Sequence, residues 1–243
     1  MLRKIKRILK KKSFNYTKKF KTYSLAENFL NKRNSYFDKR YTKKFFGPEH
    51  VESVERFYAA SIISALSNKK KLNILDIGGG NNPIFSYIKQ STGLSTYCTV
   101  LETRKFANMI SKKVPQKFRK YIKYKSDISK IKKKFDIVCF ISSIQYLKNY
   151  EKIILELKKY KPKFFIITRT FFHKKKENFV SIEHAVPGSL HPYIFFSFEK
   201  MKNLFNKNGY KLIFHNNYNF DIFTHDSVKQ KTFSHKDLVF KRN

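Results

Sequence analysis

A chain of 243 residues, 41% of them hydrophobic, is long enough for one α/β domain with a substantial core. Its 53 Lys and Arg against 17 Asp and Glu give a formal charge of +36, which points to nucleic acid or an anionic surface unless it follows from a Lys-, Asn-, Ile- and Phe-rich composition. Two isolated cysteines, Cys98 and Cys139, exclude a disulfide framework and a cysteine metal cluster. No apolar run approaches the roughly 20 residues of a membrane span, and the basic start lacks a secretory apolar stretch, so a cytoplasmic protein is expected.

Leu2, Ile5, Ile8 and Leu9 recur at helical spacing among Arg3, Lys4, Lys6, Arg7 and Lys10 to Lys12. Such a stretch is either a frayed, solvated terminus or a helix lying on an anionic membrane at the inner face, and residues 1–20 are set apart on that ground. Helical patterning follows over 21–41, with Leu25, Phe29, Tyr36 and Phe37 as packing residues, and breaks at Gly47-Pro48. A second helix over about 49–66 carries Val51, Val54, Phe57, Ile62 and Leu66. Residues 21–69 thus read as an N-terminal helical extension, and 70–243 as the main domain.

That domain opens on Leu72-Asn-Ile-Leu-Asp-Ile-Gly-Gly-Gly-Asn-Asn-Pro83, a short apolar strand cut off by three of the chain's seven glycines. Bare backbone lets a ligand lie directly against the peptide. Asn82 reads as an N-cap and Pro83 as the first helical residue, with Ile84, Phe85 and Ile88 on one face. The exposed N–H groups of that helix would suit a polar or anionic ligand group. Gly93 introduces a second strand, 96–101, ended by Glu102, about 20 residues past the glycines and placed to accept hydrogen bonds from ribose hydroxyls. A helix over 104–113 and a strand near 121–124 lead to Ser126-Asp127. The apolar run 135–141 suits a central parallel strand buried on both faces, with Ser142 and Ser143 at its carboxyl end, where ligands collect in open α/β sheets. Gln145, Tyr146 and Leu147 precede a helix closed by Lys161-Pro162. A fifth strand, 164–168, presents Arg169 at its tip. Residues 171–191 read as a loop holding His173, Glu183, His184 and His191. Ser197 then caps a helix stopped by Asn208-Gly209, and strands near 210–215 and 238–240 complete an antiparallel edge. The expected fold is a Rossmann-like, doubly wound, mostly parallel seven-stranded sheet with right-handed crossovers.

The dinucleotide pattern Gly-x-Gly-x-x-Gly would need glycine where Pro83 sits. Asp76-x-Gly78-x-Gly80 resembles instead the first motif of S-adenosylmethionine-dependent methyltransferases, with Asn82 in place of their third glycine. Several segments are similar to one bacterial methyltransferase family encoded among O-antigen and other surface-polysaccharide genes: Leu75-Asp-Ile-Gly-Gly-Gly80, Ser142-Ser-Ile-Gln-Tyr-Leu147, Thr168-Arg-Thr170, His184-Ala-Val-Pro187, and Pro192-Tyr-Ile-Phe-Phe-Ser197. Tyr23-Ser-Leu-Ala-Glu27 is similar to its N-terminal helix. Two departures stand out: the family usually has Asp where Thr168 stands and Gln where Glu183 stands.

The resemblance implies S-adenosylmethionine as cofactor, held by Asp76, Gly78, Gly79, Gly80, Glu102 and Ser142, with Asp127 facing the adenine amine; read by itself, Asp127 equally caps a turn. It implies a saccharide acceptor, free or lipid- or nucleotide-linked. For a hydroxyl acceptor a base is needed, and His184, then His191 or His173, are the candidates, histidine titrating near neutrality. Arg169 is fixed in charge and suits orientation of an anionic sugar or nucleotide-sugar phosphate. Tyr146 lines the pocket or packs. No metal is required. Two other readings stay open: an RNA methyltransferase, motivated by charge but without an Asn/Asp-Pro-Pro-Tyr stretch or a recognisable RNA module, and a non-catalytic binding protein with a degenerate cofactor fold.

Overall fold

The computed structural model describes residues 16–31, 54–67, 70–81, 83–131, 133–186, 189–218 and 233–243. Among these described residues there are ten strands: β1 Tyr16–Phe20, β2 Lys71–Ile77, β3 Ser95–Leu101, β4 Ile122–Lys125, β5 Ile137–Ile141, β6 Phe164–His173, β7 Phe179–Val186, β8 Ser189–Ser197, β9 Tyr210–Tyr218 and β10 Phe233–Arg242. Six α-helices accompany them: α1 Tyr23–Leu30, α2 Val54–Leu66, α3 Ile84–Thr92, α4 Arg104–Ser111, α5 Tyr150–Lys158 and α6 Phe198–Lys207.

Strands β4, β3, β2, β5 and β6 lie side by side and parallel, and β10 then β9 extend the β6 side antiparallel. This is the expected seven-stranded, mostly parallel sheet. Its central strand β5 is buried at all five positions, which is why it reads as a continuous apolar run. Two apolar clusters cover the faces. One packs α5 and α6 residues such as Ile154, Leu157, Met201 and Phe205 on Val138, Phe140, Phe165 and Phe240. The other packs α2 and α3 through Ala59, Ile63, Phe85 and Ile88 on Ile74, Cys139 and Ile166. Cys98 and Cys139 are both free and fully inside, and burial pushes both thiols well up, so they are inert packing residues.

The expected loop over 171–191 is instead structure. Strand β6 runs on to His173, and β7 and β8 form an antiparallel hairpin beyond it. Phe172 and His173 pair with Phe196 and Ser197 of β8 on the side that β5 leaves after Ile141. Tyr16–Phe20 then joins β7 as an antiparallel edge strand. The boundary drawn after residue 20 therefore does not hold, because residues 16–20 belong to the sheet system. Nor is 21–69 a separate extension, since Ala59, Ala60 and Ile63 of α2 lie in the main core. The expected helix over 21–41 is seen from Tyr23 to Leu30, and that over 49–66 from Val54; residues 32–53 and the basic start, residues 1–15, lie outside the described residues.

Candidate active site

The carboxyl ends of β2, β3 and β5 meet at the glycine loop. Gly78 and Gly80 hold φ of 72° and 59°, the left-handed region that a side chain disfavours. A Cβ at Gly78 would stand 2.8 Å from Ser143 Cβ, and one at Gly79 only 2.5 Å from Asp76 Oδ2. At Gly78 glycine is therefore required twice over, by backbone angle and by contact. The Gly78 N–H donates to Leu101 O at 2.9 Å, which ties the loop to β3, and Ser143 Oγ donates to Ile77 O at 2.6 Å from the β5 side.

Glu102 stands at this loop as expected. Its Oε1 accepts from the Gly80 N–H at 2.9 Å and its Oε2 from the Thr103 N–H at 3.2 Å. Burial raises its carboxyl above the usual range, partly offset by these two N–H donors. Tyr124 Oη donates to Gly80 O at 2.8 Å, so the last glycine is held at both its N–H and its carbonyl. A bare loop with a carboxylate at its rim fits a ribose-bearing cofactor, with Gly78, Gly79 and Gly80 supplying backbone and Glu102 the hydroxyl acceptor.

Asp76 has a structural role that the motif does not announce. It is fully enclosed, and its Oδ2 accepts from Arg56 Nη1 at 3.0 Å and from the Ile84 N–H at 2.9 Å. Through Oδ2 it caps α3 and anchors α2, while its Oδ1 has no hydrogen-bond partner among the described residues. Pro83, rather than Asn82, holds the N-cap position of α3, without a side-chain cap of its own, and Asn82 lies outside the described residues. With Ile84 N–H already satisfied, the start of α3 offers a ligand less than expected. Asp127 likewise takes the alternative role. Its Oδ1 accepts from the Ser129 N–H and Oγ at 2.9 and 2.7 Å, capping a short 3-10 turn, and those donors lower its carboxyl. It still sits at the carboxyl end of β4, beside the strand that carries Glu102. Ser142 has φ 54° at the end of β5, and its Oγ accepts weakly from Gln145 Nε2 at 3.4 Å.

A second polar cluster lies alongside, where the turn after Ser142 and Ser143 meets the hairpin. Tyr146 ends the 3-10 turn Ile144–Tyr146, and its Oη donates to Glu183 Oε2 at 2.6 Å. Tyr16 Oη donates to Glu183 Oε1 at 3.2 Å. Tyr193 and His191 from β8 set their rings edge-on to Tyr146, with centroids at 5.5 and 6.3 Å. Burial pushes His191 down to about 4, and His173 is also lowered, its Nε2 3.3 Å from Phe195 O. His191 lies within the hairpin and His173 at the end of β6, and burial disfavours the charged form of both. His184 lies on β7 opposite Leu190, not in a loop, and its side chain falls outside the described residues.

Arg169 interrupts β6 with φ 49°, and its N–H donates to Asp237 Oδ1 at 2.9 Å across a register shift in β10. Ser142 and Arg169, two of the three non-glycine residues with positive φ among the described residues, lie on neighbouring strands, Ser142 N–H donating to Thr168 O at 3.1 Å, and strain of this kind costs roughly 1–3 kcal/mol each. The guanidinium lies close enough to oppose protonation of His235, which burial already pushes down to about 3. Thr168, where the resembling family has Asp, is buried, and its Oγ1 has no partner among the described residues. Glu183 is the functional candidate that sequence reasoning noted as a departure without assigning a role. Among the described residues no three His, Cys, Asp or Glu are grouped to hold a metal, and no helix is long and apolar enough to cross a membrane.

Residues 50–215 match a family model described as a methyltransferase domain. No curated protein matches the chain in sequence. Among solved structures, it is similar to 1,6-didemethyltoxoflavin N1-methyltransferase of Burkholderia thailandensis, at 13% identity over 90% of this chain and 87% of that one, with a TM-score of 0.57. Magnesium protoporphyrin IX methyltransferase of Synechocystis PCC 6803 is 12% identical over 90% and 99%, TM-score 0.57. An amino pentose methyltransferase of Micromonospora echinaspora is 11% identical over 87% and 99%, TM-score 0.52. At such identities the likeness is one of fold.

Proposed function

This chain belongs to the methyltransferase-domain family that its residues 50–215 match, and is an S-adenosylmethionine-dependent methyltransferase; from that premise we propose that its acceptor is a saccharide hydroxyl, free or on a lipid- or nucleotide-linked precursor used in surface-polysaccharide synthesis. The observation that carries the cofactor side is the glycine loop whose last N–H rests on the Glu102 carboxylate. S-Adenosylmethionine supplies a methyl group on a sulfonium, already activated for transfer. The protein's task is to hold the acceptor in line and to take its proton. Gly78, Gly79, Gly80 and Glu102 would hold the cofactor, Ser142 would border it, and Tyr146 and Arg169, both partly exposed, would offer an aromatic and a cationic group suited to a polyhydroxylated or anionic sugar. The motif resemblance supports the saccharide class, and the amino pentose methyltransferase offers a fold-level analogy only.

One observation favours RNA as acceptor. An open groove of about 770 Å³ is lined by Lys158, Lys159, Lys161, Lys207 and Arg242 with no acidic residue. It lies at the start of β6, a strand's length from the glycine loop, so a base docked in it does not reach the cofactor side. Lysines in the last turns of α5 and α6 also balance the helix dipoles, an ordinary reason for their position.

Calorimetric titration with S-adenosylmethionine, S-adenosylhomocysteine and NAD tests the cofactor, and release of S-adenosylhomocysteine over a panel of free and nucleotide-linked sugars tests the acceptor. Binding of both sulfur nucleosides with sugar-dependent release is expected. NAD binding alone would overturn the cofactor assignment, and salt-sensitive turnover on RNA with none on sugars would overturn the acceptor.

A further inference from the structure

We propose that Tyr146 and Glu183 form a proton relay for the acceptor hydroxyl, with Tyr146 touching the acceptor and Glu183 receiving the proton behind it. The proposal rests on the methyltransferase reading and assigns the base that reading leaves open.

Glu183 is 3% exposed, in the middle of a hairpin strand whose neighbours are Ile182 and Val180. Enclosing a carboxylate costs several kcal/mol unless donors compensate it. Here two phenols do, Tyr146 at 2.6 Å and Tyr16 at 3.2 Å. The shorter bond has the length of a charge-assisted O–H···O⁻ contact, so the tyrosine proton already points at its acceptor. Tyr16 hangs from edge strand β1 and completes the enclosure on that side, its ring edge-on to Tyr193 with centroids 5.1 Å apart. From β8 come His191, paired with Glu183 in register, and Tyr193. The Arg169 charge reaches the same tyrosine from β6.

Tyr146 differs from the other members of this network in being only half-buried. It stands three residues after Ser143, which braces Gly78, and its hydroxyl reaches Glu183 of the hairpin, so the residue bridges cofactor loop and hairpin. The Tyr23 hydroxyl holds the Tyr146 carbonyl at 2.9 Å, and the His191 and Tyr193 rings bracket its side chain. A fixed, half-buried phenol, backed by a buried carboxylate, passes a proton inward without itself needing to ionise.

The step balances. One oxygen–carbon bond forms as the carbon–sulfur bond breaks, and that electron pair stays on sulfur. The acceptor's proton goes to Tyr146 Oη while the proton of Tyr146 goes to Glu183. One positive and one negative charge are consumed together, and Glu183 returns its proton to water afterwards.

Two measurements test this. Labelling with [δ-13C]glutamate gives ten carboxyl signals, and loss of one in Glu183→Gln assigns Glu183. An ionised signal near neutral pH that shifts in Tyr146→Phe is expected. A protonated Glu183 near neutral pH, or one indifferent to Tyr146→Phe, overturns the relay without any reference to turnover. The second measurement uses S-adenosylmethionine with UDP-glucose, UDP-galactose and methyl glucoside as acceptor probes. Tyr146→Phe and Glu183→Gln should each lower kcat by about 100-fold or more, while Glu183→Asp keeps part of the rate and S-adenosylhomocysteine affinity changes by less than about threefold. Retention of kcat within about threefold in both variants overturns the relay, as does a parallel loss of affinity and rate, which marks a structural role. If the wild type binds S-adenosylhomocysteine but uses no sugar probe, the saccharide reading fails and the carboxyl signal still decides the relay.

Discussion

Replacing Asp76 by Asn keeps the side chain's shape and one carbonyl acceptor but removes its charge. Arg56, 8% exposed, is then left enclosed without a counter-charge, and the Ile84 N–H competes with it for a single weaker acceptor. Breaking a buried ion pair from one side costs ~3–5 kcal/mol, and the retained oxygen puts the expectation near the lower figure, about 3 kcal/mol. With an m-value toward ~3 kcal/mol/M in urea for a domain of this size, the unfolding midpoint should fall by about 1 M at unchanged m. The double variant Arg56→Met/Asp76→Asn removes both charges, so it should lose less than the sum of the two single losses, by roughly 1.5 kcal/mol or more. Because the same oxygen caps α3 beside the glycine loop, S-adenosylhomocysteine affinity in Asp76→Asn should fall about tenfold by calorimetry, equivalent to ~1.4 kcal/mol. An Asp76→Asn midpoint within about 0.2 M of the wild type, or strictly additive losses, would refute the claim that this pair holds the loop.

Gly78→Ala should lose roughly 1–2 kcal/mol and most cofactor affinity, because a Cβ meets Ser143 Cβ at 2.8 Å on a backbone at φ 72°. Adding Ser143→Gly removes the contact but not the angle, so urea melts of the double variant should show partial recovery only. Glu102, raised by burial above its ordinary 4.5, holds its proton in the folded protein at pH values where the unfolded chain has released it. Its contribution is therefore present below about 4.5 and lost as pH climbs through the raised value, a decline that Glu102→Gln should flatten in a pH series of urea midpoints. The same variant should bind S-adenosylhomocysteine at least about tenfold more weakly, with unchanged affinity sinking the ribose role. His191 carries the opposite sign: lowered from 6.5 to about 4, it stays neutral in the fold while the unfolded chain takes up a proton. Stability present above 6.5 should drain away by about 3 kcal/mol as pH falls to about 4, and His191→Gln should remove that part of the acid loss in the same series.

The parallel half of the fold is legible because its signals are local. Leu72 to Gly80 juxtapose an apolar run and three glycines, and 135–141 is apolar throughout, so strand, loop and buried centre can be read within a few residues. The hairpin is not legible for a physical reason. Its inward positions include Ser181, Glu183 and His191, all nearly enclosed, and a pattern reading that equates polar with exposed takes them for a loop. The Tyr16–Glu183 bond spans 167 residues and the Arg56–Asp76 pair 20, separations that leave no periodic trace. Tyr16 lies in a stretch so rich in lysine that nothing marks it as a core residue. Asp76 is legible by its motif, but its bonds to Arg56 and the Ile84 N–H are not, since a motif says which residue recurs and not what else it holds. Tyr146 was found without its partner, because a carboxylate in an unexpected place is visible in sequence only as a departure.

Strand β1 is synthesised well before the edge it covers, which belongs to Phe179–Val186. During synthesis it must wait through some 160 residues before a docking partner exists, and pairings so distant in sequence form late. Until then Tyr16 is exposed and the outer edge of β7 is unprotected once made, an open template for other nascent chains. Closing that edge thus waits on a strand made long before its partner.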